Sequence, residues 1–191
     1  MNKKTVLDDL AARKQESIDF LRSLIKIDSS NIQHGLDGKE EAAQLFIQQE
    51  LQRMGMNTKL SEPNYARIGN YVECSQGHSY ANRPNLLGVL KGSGGGRSLI
   101  LNGHVDTMSA ENRDKWIHDP WSATIENGYV YGIGACDMKA GLAAMVCACK
   151  AVAKHVRLQG DVILQSVVDE EGGGNGTLDL VAQGQTADGA I

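Results

Sequence analysis

The sequence predicts an α/β domain in which a mostly parallel sheet is covered by helices on both faces, a three-layer α/β/α arrangement. Two observations lead there. The apolar runs Ser98-Leu99-Ile100-Leu101 and Val162-Ile163-Leu164 are continuous rather than alternating, as strands buried on both faces of a parallel sheet require. Each run also ends in residues that carry chemistry: Gly103-His104-Val105-Asp106 in one case, Asp169-Glu170-Glu171-Gly172 in the other. Ligands of open α/β sheets gather beyond the carboxyl ends of the strands. A third segment, Gly132-Ile133-Gly134-Ala135-Cys136-Asp137-Met138-Lys139-Ala140-Gly141, lies between the two in sequence and opens a helix.

The elements follow in order. Thr5 to Ile27 reads as one amphipathic helix, with Leu7, Leu10, Ile18, Leu21, Leu24 and Ile25 near one side. A second helix is expected from Lys39 to Met54, with Ala43, Ile47, Leu51 and Met54 on a common face and Gly55 as its C-terminal cap. Asn57 to Leu60 reads as a strand, and 64–85 as a long polar loop of the kind that is usually functional or mobile. Asn85–Lys91 and Arg97–Leu101 are expected strands joined by Gly92-Ser93-Gly94-Gly95-Gly96, read as a turn within one sheet. Asn127-Gly128 between alternating residues predicts a hairpin over 123–131. A helix over Met138–Lys154, a strand over Asp161–Val168 and a short helix over Thr177–Ala182 complete the pattern. The last residues, Ala187 to Ile191, read as a turn entering another strand, which suggests that residues 1–191 are a portion of a larger domain.

Bulk properties narrow the function. The chain has 191 residues, 41% of them hydrophobic and 22% charged, values ordinary for a globular domain. Its formal net charge is −4, with no basic block, which argues against a nucleic-acid partner because phosphate binding needs clustered Lys and Arg. No apolar stretch approaches the roughly 18–20 residues of a membrane span. The first residues lack the apolar core of a signal peptide, so a cytoplasmic location is expected. The four cysteines, Cys74, Cys136, Cys147 and Cys149, form no Cys-x-x-Cys pair. They are read as reduced packing residues, with a metal-ligand role for Cys136 as the alternative.

The three polar segments suggest a metal site with a base beside it. A neutral imidazole is a good zinc ligand whose second ring nitrogen needs a partner. Asp106, two residues beyond His104 on a strand, points to the same side and can supply that support. Asp137, after two glycines at a helix start, either caps the helix or reaches out as a carboxylate that bridges two cations. Glu170 and Glu171 are adjacent, so their side chains diverge, and one can bind metal while the other reaches the reacting water. Glycines 172 to 174 would let the backbone pack closely behind them. His34, His78, His118 and His155 are expected at the surface, and Trp116, Pro120 and Trp121 are expected to pack the loop above the site.

Four ordered motifs carry a family resemblance: Leu101-Asn102-Gly103-His104-Val105-Asp106-Thr107, Trp116-Ile117-His118-Asp119-Pro120-Trp121-Ser122, the 131–141 segment, and Asp169-Glu170-Glu171-Gly172. Together they resemble the zinc amidohydrolases that include acetylornithine deacetylase, succinyl-diaminopimelate desuccinylase, aminoacylase and carboxypeptidase G. The resemblance implies a zinc-exopeptidase-like fold, and residues 1–191 would be the N-terminal portion of its catalytic domain. It makes His104 a ligand of one metal, Asp137 the bridge between two, Glu171 a ligand of the other, Glu170 the general base and Asp106 the acidic partner behind His104. It further implies two Zn²⁺ ions, with Co²⁺ or Mn²⁺ as substitutes, hydrolysis of the amide of a small N-acyl amino acid or peptide, a homodimer for the full-length enzyme, and a cis Asp137–Met138 peptide. Members commonly carry Arg where this chain has Ile133. They add a later carboxylate and a later His to the metal shell, and a lid domain that dimerises.

Zinc takes about four ligands, and two ions sharing one bridge want about five or six protein donors. The motifs provide His104, Asp137 and Glu171. Residues 1–191 alone are therefore expected to be inert or nearly so and to bind divalent metal poorly, and a chain that keeps the fold without catalysis, binding one metal weakly at most, is the competing reading. A nucleotide site at Gly172-Gly173-Gly174-Asn175-Gly176 ranks below both, because Glu170 and Glu171 would repel a phosphate there and the Gly-x-Gly-x-x-Gly spacing is absent.

Overall fold

The computed structural model describes residues 3–191. Its helices are α1 (Lys3–Ala12), α2 (Lys14–Ile25), α3 (Glu41–Arg53), α4 (Tyr65–Ile68), α5 (Ala140–His155) and α6 (Asn175–Ala182). Its strands are β1 (Asn31–Ile32), β2 (Asp37–Gly38), β3 (Asn57–Ser61), β4 (Asn85–Leu90), β5 (Leu99–His104), β6 (Thr124–Glu126), β7 (Tyr129–Tyr131), β8 (Val162–Val167) and β9 (Gly189–Ala190). The main sheet has the order β3-β4-β8-β5-β9. Strands β8, β5 and β9 are parallel, whereas β4 runs antiparallel to both β3 and β8. Four of the five strands thus share a direction, and the mostly parallel sheet is as expected.

The two strands joined by the 92–96 glycine run are not neighbours, because β8 lies between them and hydrogen-bonds to both. The run spans the end of β8 instead of turning a hairpin. Close packing explains the glycines at its ends, since a Cβ on Gly96 would stand 2.4 Å from the Gly160 nitrogen, while Gly94 and Gly95 turn the chain at positive φ.

The 5–27 helix is also corrected. It breaks at Arg13, whose backbone leaves the helical region. Segment α2 buries Leu24 and Ile25, while α1 buries nothing and meets α5 through the Asp9–Lys154 ion pair. The two halves are held by different forces, and one straight helix would have to serve both. The 127–128 turn is as expected, with both residues at positive φ; this twist matches that of the flanking strands. The long loop over 64–85 contains α4, whose start is capped by the Asn64 side chain accepting from Ala66 N–H at 2.8 Å.

The core lies between the sheet and helices α2, α3 and α5, where Leu24, Ile47, Leu51, Leu86, Leu142, Val146 and Leu164 are fully or almost fully buried. Alternation along β5 sends Leu101 toward this cluster and Asn102 to the opposite face, where it meets Gln165 of β8 and Thr177 of α6. That gives the second helical layer. Among the described residues no helix is long and apolar enough to cross a membrane, and all four cysteines are free. Cys74 and Cys149 are buried as expected of packing residues, whereas Cys136 is exposed.

Candidate metal centre

Strands β5 and β8 are adjacent and parallel, with His104 opposite Val167. Their carboxyl ends therefore open at the same sheet edge, and the chain leaving each delivers its polar residues to one place. Asp137 arrives from a distorted turn, Ala135–Lys139, immediately before α5. Its peptide bond to Met138 is cis. One donor atom each from His104, Asp137 and Glu171 falls within 4.8 Å of the others. The three residues that the sequence nominated as ligands are thus brought together.

Each is held by a different device. His104 is buried, with ring Nδ1 3.0 Å from the Asp106 carbonyl oxygen and 3.5 Å from its carboxylate. Its Nε2 faces Asp137 Oδ1 at 3.0 Å and Glu170 Oε2 at 3.6 Å. The support behind His104 therefore comes first from a main-chain carbonyl. The Asp106 carboxylate is fully buried and has a further task. It accepts the backbone N–H groups of Glu170 (3.2 Å) and Glu171 (3.1 Å), which fixes the acidic dipeptide relative to the His104 strand. Gly172 completes this turn, because a Cβ there would stand 2.3 Å from Asp169 Oδ1 and 2.8 Å from the Gly35 Cα.

Electrostatics separate the groups. Burial opposes charge on His104, but hydrogen bonding and attraction to Asp106, then Asp137, outweigh it and place its pKa at about 9. Burial also opposes charge on Asp106, yet His104, Asn31 and the Glu170 N–H hold its carboxyl below the ordinary range. Glu171 is shifted upward, first by burial and then by the neighbouring charges of Asp137, Asp106 and Glu170, with His104 opposing. Asp137 and Glu170 both pair with His104 Nε2, at 3.0 and 3.6 Å. Carboxylates converging on an imidazole whose other nitrogen is fixed fit a divalent cation of the zinc type, which would take the place of the ring proton.

A buried polar network lies behind the centre, and motif reading did not find it. Asp169 is fully buried at φ +65°. It accepts from Tyr80 Oη at 2.6 Å and pairs with His78 Nδ1 at 2.8 Å. His78 is therefore not a surface histidine. Its ring is tucked against Asp169, with a side chain 7% exposed. Arg83 and Glu40, both fully buried, form a bidentate pair whose shortest contact is 2.7 Å, and Arg83 reaches Asp169 at 3.5 Å. Asn31 joins this network to Asp106. Its partners come from 29–40, 78–85 and 169, segments with no common motif; the Asp169-Glu170-Glu171 run was the only local signal.

The other expectations divide. Pro120 anchors its loop by accepting the Ile133 N–H at 2.8 Å, and Arg113 lies over the Trp121 ring at 4.8 Å. Trp116 is 38% exposed and, with Ile117, His118, Tyr131, Ala135 and Cys136, lines a groove of about 590 Å³ along the turn on which Asp137 also lies. Ile133 is buried and apolar, so no polar role attaches to that position. Three of the 172–176 glycines are used in packing: a Cβ on Gly172 would meet Asp169, one on Gly173 would stand 2.0 Å from Ser75 Oγ, and one on Gly176 2.2 Å from the Val168 carbonyl, whereas Gly174 serves the turn through its φ of +87°.

Comparison with known proteins agrees with this fold. Residues 100–191 match the model of peptidase family M20/M25/M40. Over 115 residues the chain is 47% identical to the N-formyl-4-amino-5-aminomethyl-2-methylpyrimidine deformylase of Halalkalibacterium halodurans, and 44% identical to the protein of that description from Bacillus subtilis. The matched region covers 59% of this chain and 27% of each relative, so the chain spans little more than a quarter of their length. Among solved structures it resembles an M20 family metallo-carboxypeptidase from Sulfolobus solfataricus, with TM-score 0.73 and 22% identity over 92% of this chain and 36% of that one. Human carnosine dipeptidase 1 gives TM-score 0.74 and 21% identity over 93% of this chain and 37% of that one. At these identities the likeness is one of fold.

Proposed function

On the premise that residues 100–191 belong to peptidase family M20/M25/M40, we propose that this chain is the metal-binding portion of a hydrolase acting on the amide bond of a small N-acyl compound or peptide. The observation that carries the reading is the convergence of His104, Asp137 and Glu171 within 4.8 Å, with Glu170 beside them. The identity to deformylases supports an acyl amide, a formamide included, as the substrate class.

In this reading His104, Asp137 and Glu171 would hold the metal; Zn²⁺ is the first choice, and Co²⁺ or Mn²⁺ could replace it. When bound, the metal supplies Lewis-acid polarisation of the amide carbonyl and lowers the pKa of water. The protein's own part is proton transfer and positioning. Glu170, with its side chain half exposed, takes the proton from the attacking water and returns it to the leaving amine. Asp106 holds Glu170 and Glu171 by their main chain, so base and ligand move as one unit. The groove lined by Trp116 and Tyr131 offers room for the substituent of the scissile amide.

A second reading is favoured by one specific observation. Among the described residues the cluster offers three donors, fewer than two ions require. A chain with that shell alone would bind one metal weakly and turn over little substrate. Further donors, a lid and pairing of two copies belong to the proposed complete enzyme, and free cysteines suit a reducing compartment such as the cytoplasm.

The test is to titrate the chain with Zn²⁺ and Co²⁺ by calorimetry, then assay it with N-formyl and N-acetyl amines. Metal binding lost on replacing His104, with turnover dependent on added metal, supports the first reading. Binding without turnover supports the second. No binding at millimolar metal would overturn the first.

A further inference from the structure

Resting on the metal-centre reading above, the geometry points to Asn31 as a positioning residue of that centre: its side-chain amide cross-links the two buried carboxylates, Asp106 and Asp169, that frame the Glu170–Glu171 dipeptide. Asn31 Nδ2 donates to Asp106 Oδ2 at 3.2 Å and to Asp169 Oδ1 at 3.3 Å. Both carboxylates are fully buried, and Asn31 itself is 3% exposed.

Three observations separate this from ordinary packing. First, the Asp106 oxygen that Asn31 contacts is the one that accepts the Glu171 N–H. Movement of that oxygen is therefore movement of a metal ligand's main chain. Second, Asn31 Oδ1 is buried without a partner. An orphaned buried acceptor is costly, so the donors are what the position uses. Third, the backbone of Asn31 is clamped to the segment that follows His104 and Asp106. Its N–H donates to the Thr107 carbonyl at 2.7 Å, and its carbonyl accepts from Ser109 Oγ at 2.9 Å. The amide is thus carried by the same stretch of chain that carries the histidine.

The physical consequence is direct. Two buried carboxylates that share a donor are held at fixed separation, whereas without it they repel each other in a medium that screens poorly. Asp169 is retained elsewhere by Tyr80, His78 and Arg83. Asp106 has no comparable anchor apart from the groups it organises, so it is the carboxylate that would move, and Glu170 and Glu171 would move with it. Asn31 touches no donor atom of the cluster, so it acts through Asp106.

The test uses Asn31→Ala and the isosteric Asn31→Asp, with amide hydrogen exchange in the metal-free chain and Zn²⁺ affinity by calorimetry as separate readouts. The Glu170 and Glu171 amides should exchange at least about tenfold faster in both variants, while the central-strand Leu164 amide keeps its protection. Zn²⁺ affinity should fall about tenfold or more, the range seen when outer-shell partners of metal ligands are removed. Unchanged exchange at Glu170 and Glu171, or altered exchange with unchanged Zn²⁺ affinity, would overturn the proposal. Faster exchange at Leu164 in both variants would also overturn it, since the role would then be general stability. Failure of the wild-type chain to bind Zn²⁺ would instead remove the metal-centre reading on which the proposal stands.

Discussion

Glu170 Oε2 stands 3.6 Å from His104 Nε2, across the edge formed by two adjacent parallel strands. The same glutamate's N–H is held by Asp106, which also flanks the other side of the His104 ring. The side chain is therefore free to move a proton while its backbone is fixed to a ligand. In a protein with a complete metal shell, Glu170→Gln should lower kcat by about 10²–10⁴-fold, because glutamine keeps the shape but accepts no proton. Metal content should stay near that of the wild type. Near-normal turnover in a steady-state assay would reassign the base.

Metal binding should stabilise the fold, because the ligands come from three separate parts of the chain and converge only when it is folded. At a free Zn²⁺ concentration of about 100 Kd, linkage gives about 2.7 kcal/mol, visible as a rise in Tm that a chelator reverses. Asp137→Ala should abolish the rise. An equal rise in that variant would place the metal somewhere else.

Much of this site was legible in the sequence because its signals are local. Continuous apolar runs marked β5 and β8, and the residues just past them had to emerge at one edge once the strands were parallel neighbours. Strand order was not legible, since nothing between 92 and 96 states that β8 will enter between β4 and β5. Nor was the network behind the centre. Asn31 and Asp169 are 138 positions apart, and Arg83 and Glu40 are 43 apart, so each residue in isolation reads as an ordinary surface polar group. His78 shows the limit plainly: its flanking sequence is loop-like, and only the fold turns its ring toward Asp169.

Removing the guanidinium of Arg83 should be among the most damaging single changes outside the centre. Glu40 and Asp169 would remain buried, and Glu40 would lose its bidentate partner. Breaking a buried pair from one side costs about 3–5 kcal/mol, so Arg83→Met should shift the urea midpoint accordingly. Adding Glu40→Met should recover part of the loss, because the orphaned charge goes with it. A double variant less stable than Arg83→Met would mean that the pair's charge is not the source of the damage.

Asp28 supplies a pH test. Burial opposes its charge, but hydrogen bonds from Lys39, the Ser30 hydroxyl and the Ser30 N–H hold its carboxyl below the ordinary value. A carboxyl depressed on folding contributes stability above its unfolded pKa of about 3.9 and loses it as the pH falls through the lower, folded value. The group is partly exposed, so the effect should stay below about 1 kcal/mol. Stability curves measured from pH 6 to pH 2 should fall less steeply below about pH 4 in Asp28→Asn than in the wild type. Parallel curves would mean that the interaction is already present in the unfolded chain.

The cysteines should divide by access. Cys136 is exposed, on the turn that carries Asp137. Cys149 is buried in α5, and burial pushes its thiol up to about 11. Cys74 is also raised, first by burial and then by the charge of Asp169. Because the thiolate is the reactive form, a disulfide reagent at pH 7.5 should modify Cys136 first, while Cys74 and Cys149 wait for unfolding. Cys136→Ser should remove the fastest phase and leave the half-buried Cys147 and the two slow thiols. If modification of the native chain begins at Cys149, then α5 opens locally on the time scale of the assay, and the buried face drawn for it is wrong.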